Sequence, residues 1–204
     1  QAYLFGGSNS PDSSNPQFQR LDLETMTWSV IEDLSGNPEV EPRDDHTACF
    51  LPRYNMLVIF GGFLKGERTA DTLLYDVERK TWATLKHGQG FDVPSARSGH
   101  SAVVYGDEIY VFGGRDVDGA ALNDIWAFSM EQPHWRQVHT KDQASVAYTD
   151  RAETVPVARS GHSASIVGNK MIIFGGLFEI TKELNDMHVF DLSKYRWIKL
   201  YEDG

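Results

Sequence analysis

Cysteine is all but missing from this chain of 204 residues. Cys49 stands alone, so no internal disulfide can form and the fold must be held by packing. A lone thiol favours an intracellular home, and the cytoplasm is the expected compartment. Long apolar runs are missing too: none approaches the roughly 18 residues that span a bilayer, and no signal peptide opens the sequence. Positive charge is scarce, with a formal net charge of −10. The nearest thing to a basic cluster, Lys65, Arg68 and Arg79-Lys80, is too sparse to grip a phosphate backbone. Nucleic acid and membrane are therefore excluded as partners, and the acidity serves solubility with a bias toward basic partners. No Gly-Lys-Ser/Thr phosphate cradle and no Gly-x-Ser-x-Gly elbow occurs.

What is present repeats. Phe-Gly-Gly occurs at residues 5–7, 60–62, 112–114 and 174–176, each copy after a short apolar run such as Met56-Leu57-Val58-Ile59. Trp28, Trp82, Trp135 and Trp197 follow their copies after 23, 22, 23 and 23 residues. Arg43-Asp44-Asp45-His46, Arg97-Ser98-Gly99-His100 and Arg159-Ser160-Gly161-His162 open the later units. A unit of about fifty residues is being stacked, and one such unit cannot bury its apolar face alone. The 41% hydrophobic content suits one packed body rather than a disordered tail.

Within each unit the pattern predicts four short strands. The first covers Thr47 to Leu51, Ser101 to Tyr105 and Ser163 to Val167, rich in small and β-branched residues. A tight turn leads to the apolar strand ending at the two glycines, where the backbone is expected to bend or pack closely. The third strand is expected over Phe18 to Asp22, Thr72 to Asp76, Asp124 to Ser129 and Asp186 to Asp191, and the fourth begins at the tryptophan. Turns at hairpin spacing and no helical period describe antiparallel meanders, which stack radially as the blades of a β-propeller. The expected blades are a partial one over 1–32 and others over 43–85, 97–138 and 159–200, with an inserted loop over 136–158. Gln1 already falls inside a repeat, so the chain is expected to be part of something longer. Apolar faces left open at either end would invite self-association.

Arg-x-Gly-His, Phe-Gly-Gly, Asn-Asp (Asn123-Asp124, Asn185-Asp186) and the fourth-strand Trp together resemble the kelch family of propellers. The resemblance covers essentially the whole chain. Its long repeats look more like kelch-only adaptors and small-GTPase effectors than like BTB-linked kelch proteins. It implies an all-β fold, about four four-stranded antiparallel blades of a ring of five to seven. Two departures stand out: Asp45 replaces the glycine before His46, and Ser129 occupies the place of Asp22, Asp76 and Asp191. Those blades are expected to be locally looser.

Residues that recur once per blade make poor catalysts, because an active site is a single constellation. Each Arg, His and Trp is expected to do the same packing or hydrogen-bonding job in every blade. A metal ring of His46, His100 and His162 is disfavoured, since no short-range ligand pairs accompany them. A copper-radical oxidase would need a cysteine linked to a tyrosine, whereas Cys49 lies inside a strand as a small hydrophobe. The iron-binding pattern of nitrile-specifier proteins ends in histidine, but Glu41-Asp45 leads to Cys49 and Glu67-Asp71 to Tyr75. Asp116-x-Asp118-Gly119 reads as a turn rather than a Ca²⁺ loop, with no distant closing carboxylate. No cofactor, metal or catalytic residue is expected. Propeller enzyme and structural segment with activity in flanking domains are the alternatives.

Binding of a protein or peptide is the favoured reading. In an up-down meander the two-to-three loops and the blade-to-blade loops share one rim, and here nearly all loop length falls on it. Aromatic and arginine side chains dominate interface hot spots. Phe63, Phe91, Tyr148, Phe178 and Ile180 supply the apolar candidates. Lys65, Arg68, Arg97, Arg115, Arg151 and Arg159 supply charge for an acidic segment or a C-terminal carboxylate. Phe63, Phe91 and Phe178 have a second reading, as plugs folded over the blade tops. Trp135 to Arg159 spans nine residues more than Trp82 to Arg97, and the insertion carries Val146-Ala147-Tyr148 as a further candidate contact.

Overall fold

The alternation of small, β-branched and aromatic residues is realised, among the described residues, as nineteen strands, seen in a computed structural model. It describes residues 1–204 except 11–12, 36, 38, 87–91, 140–154, 180, 199 and 201–204. The first sheet has three strands, β1 (Ala2–Leu4), β4 (Gln17–Asp22) and β5 (Thr27–Asp33), with a small hairpin, β2 (Ser8–Ser10) and β3 (Ser13–Ser14), on its upper connection. The second comprises β6 (Thr47–Leu51), β7 (Met56–Phe60), β10 (Thr72–Asp76) and β11 (Thr81–Thr84), again with a loop hairpin, β8 (Phe63–Leu64) and β9 (Glu67–Arg68). The third runs β12 (Ser101–Tyr105), β13 (Glu108–Arg115), β14 (Ala121–Ser129) and β15 (His134–His139). The fourth runs β16 (Ser163–Val167), β17 (Lys170–Leu177), β18 (Glu183–Asp191) and β19 (Arg196–Ile198). Every pairing in these four sheets is antiparallel between strands consecutive within the sheet, so each sheet is a meander and a propeller blade.

Blades pack face to face through three apolar layers. Phe5 and Phe18 of the first meet Leu57, Ile59, Leu73 and Tyr75 of the second. Val58 and Phe60 of the second meet Ile109, Val111, Phe128 and Trp135 of the third. Phe112 and Ile125 of the third meet Met171, Ile173, Phe190 and Trp197 of the fourth. Each fully buried aromatic of this kind contributes roughly 2–3 kcal/mol. The innermost strands β6, β12 and β16 stand side by side along the axis.

The third and fourth blades depart from expectation: their third strands begin at Ala121 and Glu183, ahead of the Asp124 and Asp186 read from sequence. The cause is the glycine pair. The ladder shifts register between Phe112 and Gly114 and between Phe174 and Gly176, then continues, so the glycines form a bulge inside a longer strand. The connections between second and third strands in these blades are correspondingly short, from Arg115 to Ala121 and from Leu177 to Glu183.

Candidate functional site

At the rim where innermost strands begin, the second, third and fourth blades each open with a buried arginine. The guanidinium of Arg97 donates to both carboxylate oxygens of Asp124, at 2.8 and 2.9 Å, and to the Gly113 carbonyl at 3.1 Å. Arg159 repeats this on Asp186, at 2.6 and 2.9 Å, and on the Gly175 carbonyl at 3.0 Å. Arg43 makes a single bond of 3.2 Å to Asp71, whose side chain is 45% exposed. Hydrogen bonds from Arg159 hold the Asp186 carboxyl well below the usual carboxylate range. Each pair ties the start of the first strand to the start of the third within one blade. The aspartate of Asn-Asp is present for its arginine.

The histidines join neighbouring blades instead. His100 Nε2 meets the Thr47 hydroxyl at 2.9 Å, and His162 Nε2 meets that of Ser101 at 2.7 Å. Their rings stand edge-on to the phenylalanine of the preceding Phe-Gly-Gly: Phe5–His46 at 5.3 Å, Phe60–His100 at 5.2 Å and Phe112–His162 at 5.0 Å. Burial, with an arginine nearby, pushes the three down to about 4, 3 and 4, so all are neutral. The tryptophans complete the same layers, Trp82 lying on Phe5, Trp135 on Phe60 and Trp197 on Phe112.

Two glycines are needed because two backbones approach. A Cβ on Gly61 would stand 2.7 Å from the Arg97 carbonyl of the next blade. One on Gly62 would stand 2.6 Å from the Asp44 carbonyl of its own blade. The close approach carries a hydrogen bond from Gly62 N–H to the Arg97 carbonyl, repeated from Gly114 to Arg159. Gly99 and Gly161 take positive φ and donate to the carbonyls of Asp45 and Gly99, threading the rim blade to blade. Asp45 adopts the same left-handed conformation at φ 51, so the ring of bonds survives the substitution. The other departure changes a turn. Asp22, Asp76 and Asp191 accept two backbone N–H groups each, and the residue four on has positive φ. In the third blade Ser129 is followed there by Pro133, which cannot take that conformation.

Among the residues read as binding candidates, Arg97 and Arg159 are fully buried and cannot be offered to a partner without breaking their ion pairs. Arg68 and Arg115 donate through Nε to the Ser98 and Ser160 hydroxyls of the next blade, both at 3.0 Å. Lys65 is exposed and ion-paired with Glu41. Phe63 is half-buried beneath the Arg68 guanidinium at 5.6 Å, and Phe178 beneath Lys182 at 5.3 Å. Phe91, Tyr148, Arg151 and Ile180, like Val146 to Tyr148, lie outside the described residues. The structure therefore gathers Lys65, Arg68, Phe63, Arg115 and Phe178 on one rim, with their contacts already partly satisfied. Sequence reasoning missed Ser98, Ser160, Thr47 and Ser101 as the acceptors and donors of these contacts. Their signal was there, a hydroxyl beside the same motif in each blade.

Cys49 is half-buried in β6, and burial pushes its thiol up to about 12. Among the described residues no three His, Cys, Asp or Glu side chains are grouped to hold a metal ion. No described helix is long and apolar enough to cross a membrane. On the loop-rich rim the described carboxylates Asp44, Asp45, Asp116, Asp118, Glu179 and Glu183 outnumber the cations that remain outside buried pairs.

Residues 1–152 match the family described as KLHDC2/KLHL20/DRC7 Kelch-repeats domain, and residues 158–200 match the Kelch motif. Kelch domain-containing protein 3 of Homo sapiens is 31% identical over 88% of the chain and 45% of its own length. An F-box/kelch-repeat protein of Arabidopsis thaliana is 30% identical over 93% of the chain and 41% of its own length. Acyl-CoA-binding domain-containing protein 5 of the same plant is 26% identical over 99% of the chain and 30% of its own length. The chain spans less than half the length of these relatives.

Proposed function

The chain belongs to the kelch-repeat family, and from that premise we propose that it is a non-catalytic protein–protein interaction module of the cytoplasm, binding through its loop-rich rim. The observation that carries this is the engagement of the recurring polar side chains. The arginines, histidines and glycines are occupied in holding the array together, so recognition falls to the connections that differ between blades. A catalytic role has little to draw on, because the three repeat histidines are neutral, with His100 and His162 buried and His46 half-buried, and the thiol is protonated. The names of the relatives set the same repeats beside an F-box or an acyl-CoA-binding domain, as befits a recognition unit carried by different proteins.

Of the two partner charges read from the sequence, an overall bias toward basic partners and an acidic segment for the rim arginines, the first is the better supported. With Arg97 and Arg159 withdrawn into blades and Lys65 paired, a basic or apolar segment suits the rim better than an acidic one. Replacing the hairpin turn Leu64-Lys65-Gly66-Glu67 by Gly-Ser residues tests the assignment in the full-length protein. Partners cross-linked in cells are expected to fall away while the denaturation midpoint stays put. Retention of every partner by that variant, with loss on replacing the opposite-rim turn Glu78-Arg79-Lys80, would overturn it.

A further inference from the structure

The loop-rich rim seats two of the chain's own guanidinium groups in the same way. Arg68 and Arg115 each donate through Nε, at 3.0 Å, to the serine that follows the buried arginine of the next blade, Ser98 and Ser160. They arrive from different places in their loops: Arg115 directly follows Phe-Gly-Gly, whereas Arg68 lies further on, in β9. What they share is the position they reach, so the seat rather than the loop selects the guanidinium. Between the first and second blades that position is Asp44, with Asp45 where the other blades have glycine. The boundary is built like the others, Gly7 N–H donating to the Arg43 carbonyl at 2.9 Å. Yet the first blade sends no guanidinium across it, since residues 8–19 hold neither arginine nor lysine. Among the described residues neither aspartate side chain forms an ion pair or a hydrogen bond. Asp44 is half-buried and Asp45 exposed. The blade itself asks for neither carboxylate. At φ 51 glycine is less strained than aspartate, and the bond from Gly99 needs only the Asp45 carbonyl. At position 44, serine serves the other two blades.

We propose that Asp44 seats an arginine side chain of the protein partner, in the place that Arg68 and Arg115 take at the next two boundaries. Asp45 adds charge beside it. This rests on the loop-rim reading and names the chemistry of its partner, a segment presenting an exposed arginine. A carboxylate in place of a hydroxyl turns a neutral acceptor into a charged one, and hydrogen bonds between ions are about twice as strong. The guanidinium fork can meet both oxygens of one carboxylate, as Arg97 and Arg159 do inside the blades. An ammonium is a compact point charge without that fork, so arginine is preferred to lysine. The two aspartates divide the work: Asp44 makes the directional contact and Asp45 supplies field alone.

The probe is Nα-acetyl-arginine amide, with the lysine and citrulline amides as comparators. Each is titrated at low salt into the full-length protein carrying ¹³C in its aspartate carboxyls. Saturable shifts confined to Asp44 and Asp45 are expected, with lysine about five-fold weaker and the uncharged citrulline about ten-fold weaker than arginine. Asp44→Ser should abolish the preference for arginine over lysine, whereas Asp45→Gly should weaken both amides alike. Both variants carry what other blades carry at these positions, so the denaturation midpoint should hold or rise. The proposal fails if arginine and lysine bind equally, if the shifts spread evenly to Asp116 and Asp118, or if Asp44→Ser keeps the preference. Cross-linking in cells separates it from the rim reading. Partners lost on replacing Leu64-Lys65-Gly66-Glu67 should also fall away when Asp44→Ser and Asp45→Gly are combined. Their retention there sinks the arginine seat alone. Loss of no partner by the hairpin replacement sinks the rim reading, and the amide titration still decides the seat.

Discussion

At the scale of single residues, the decisive contrast is between buried and exposed members of the same ion pair. Asp124→Ala leaves the Arg97 charge buried without compensation and should lower stability by about 3–5 kcal/mol. Asp71→Ala also strands a buried guanidinium, Arg43, but it removes a single bond to a carboxylate that is half in water, so its loss should be smaller than that of Asp124→Ala. Urea denaturation of the two variants checks the ranking, and equal losses would refute it. The histidines predict a pH dependence with a definite sign. Their folded-state values are depressed to about 3 or 4 from 6.5, so the unfolded chain binds more protons between those limits. Stability should therefore rise with pH from about 4 to 6.5 and be lost as pH falls through that window. The slope is up to about 1.4 kcal/mol per pH unit for each histidine. Urea midpoints at several pH values should show it, and His100→Gln should flatten the slope by one proton's share. The pairing of arginine with aspartate was open to inference, since Arg97 to Asp124 and Arg159 to Asp186 are both 27 residues apart. What hid it was reading a charged residue at a loop-rich rim as exposed.

At the scale of strands and turns, the innermost strands were legible to the residue because small and β-branched residues alternate cleanly between tight turns. The lengthening of β14 and β18 was not. Glycine marks where a backbone bends, but whether the ladder stops or resumes depends on what pairs beyond the bend. The bulge geometry makes a prediction. Alanine at Gly113 meets the Arg159 carbonyl of the next blade at 2.7 Å, whereas at Gly175 it meets only the Leu184 carbonyl at 3.1 Å. Both positions have positive φ, so both variants are strained, but Gly113→Ala should lower the thermal midpoint by clearly more than Gly175→Ala. A reversed order would mean that blade-to-blade approach is not what demands the glycine.

At the scale of the whole array, the outer faces of the first and fourth blades each expose one member of a contact that is made at every boundary between the described blades. Trp28 is 54% exposed and Phe174 49%, while their equivalents Trp135 and Phe112 are buried. The repeat implies that a blade needs a neighbour, and the structure gives the reason: Phe5, Phe60 and Phe112 meet Trp82, Trp135 and Trp197 of the following blade. Acrylamide should thus quench a distinct fraction of the tryptophan emission that disappears in Trp28→Phe, and unchanged quenching would place Trp28 in contact with something. Phe174→Glu should reduce concentration-dependent association in sedimentation velocity if these ends are sticky. The rim loops resist such reasoning, since beyond the Arg68–Ser98 and Arg115–Ser160 contacts their sequences differ from blade to blade.

The claim beneath all of this is that the recurring side chains bind blade to blade rather than ligand to protein. A double-mutant cycle on Ser101 and His162, whose 2.7 Å contact crosses a blade boundary, measures it most directly. Replacing each by alanine, singly and together, should give a coupling of about 0.5–3 kcal/mol in urea denaturation. Strictly additive losses would contradict the account.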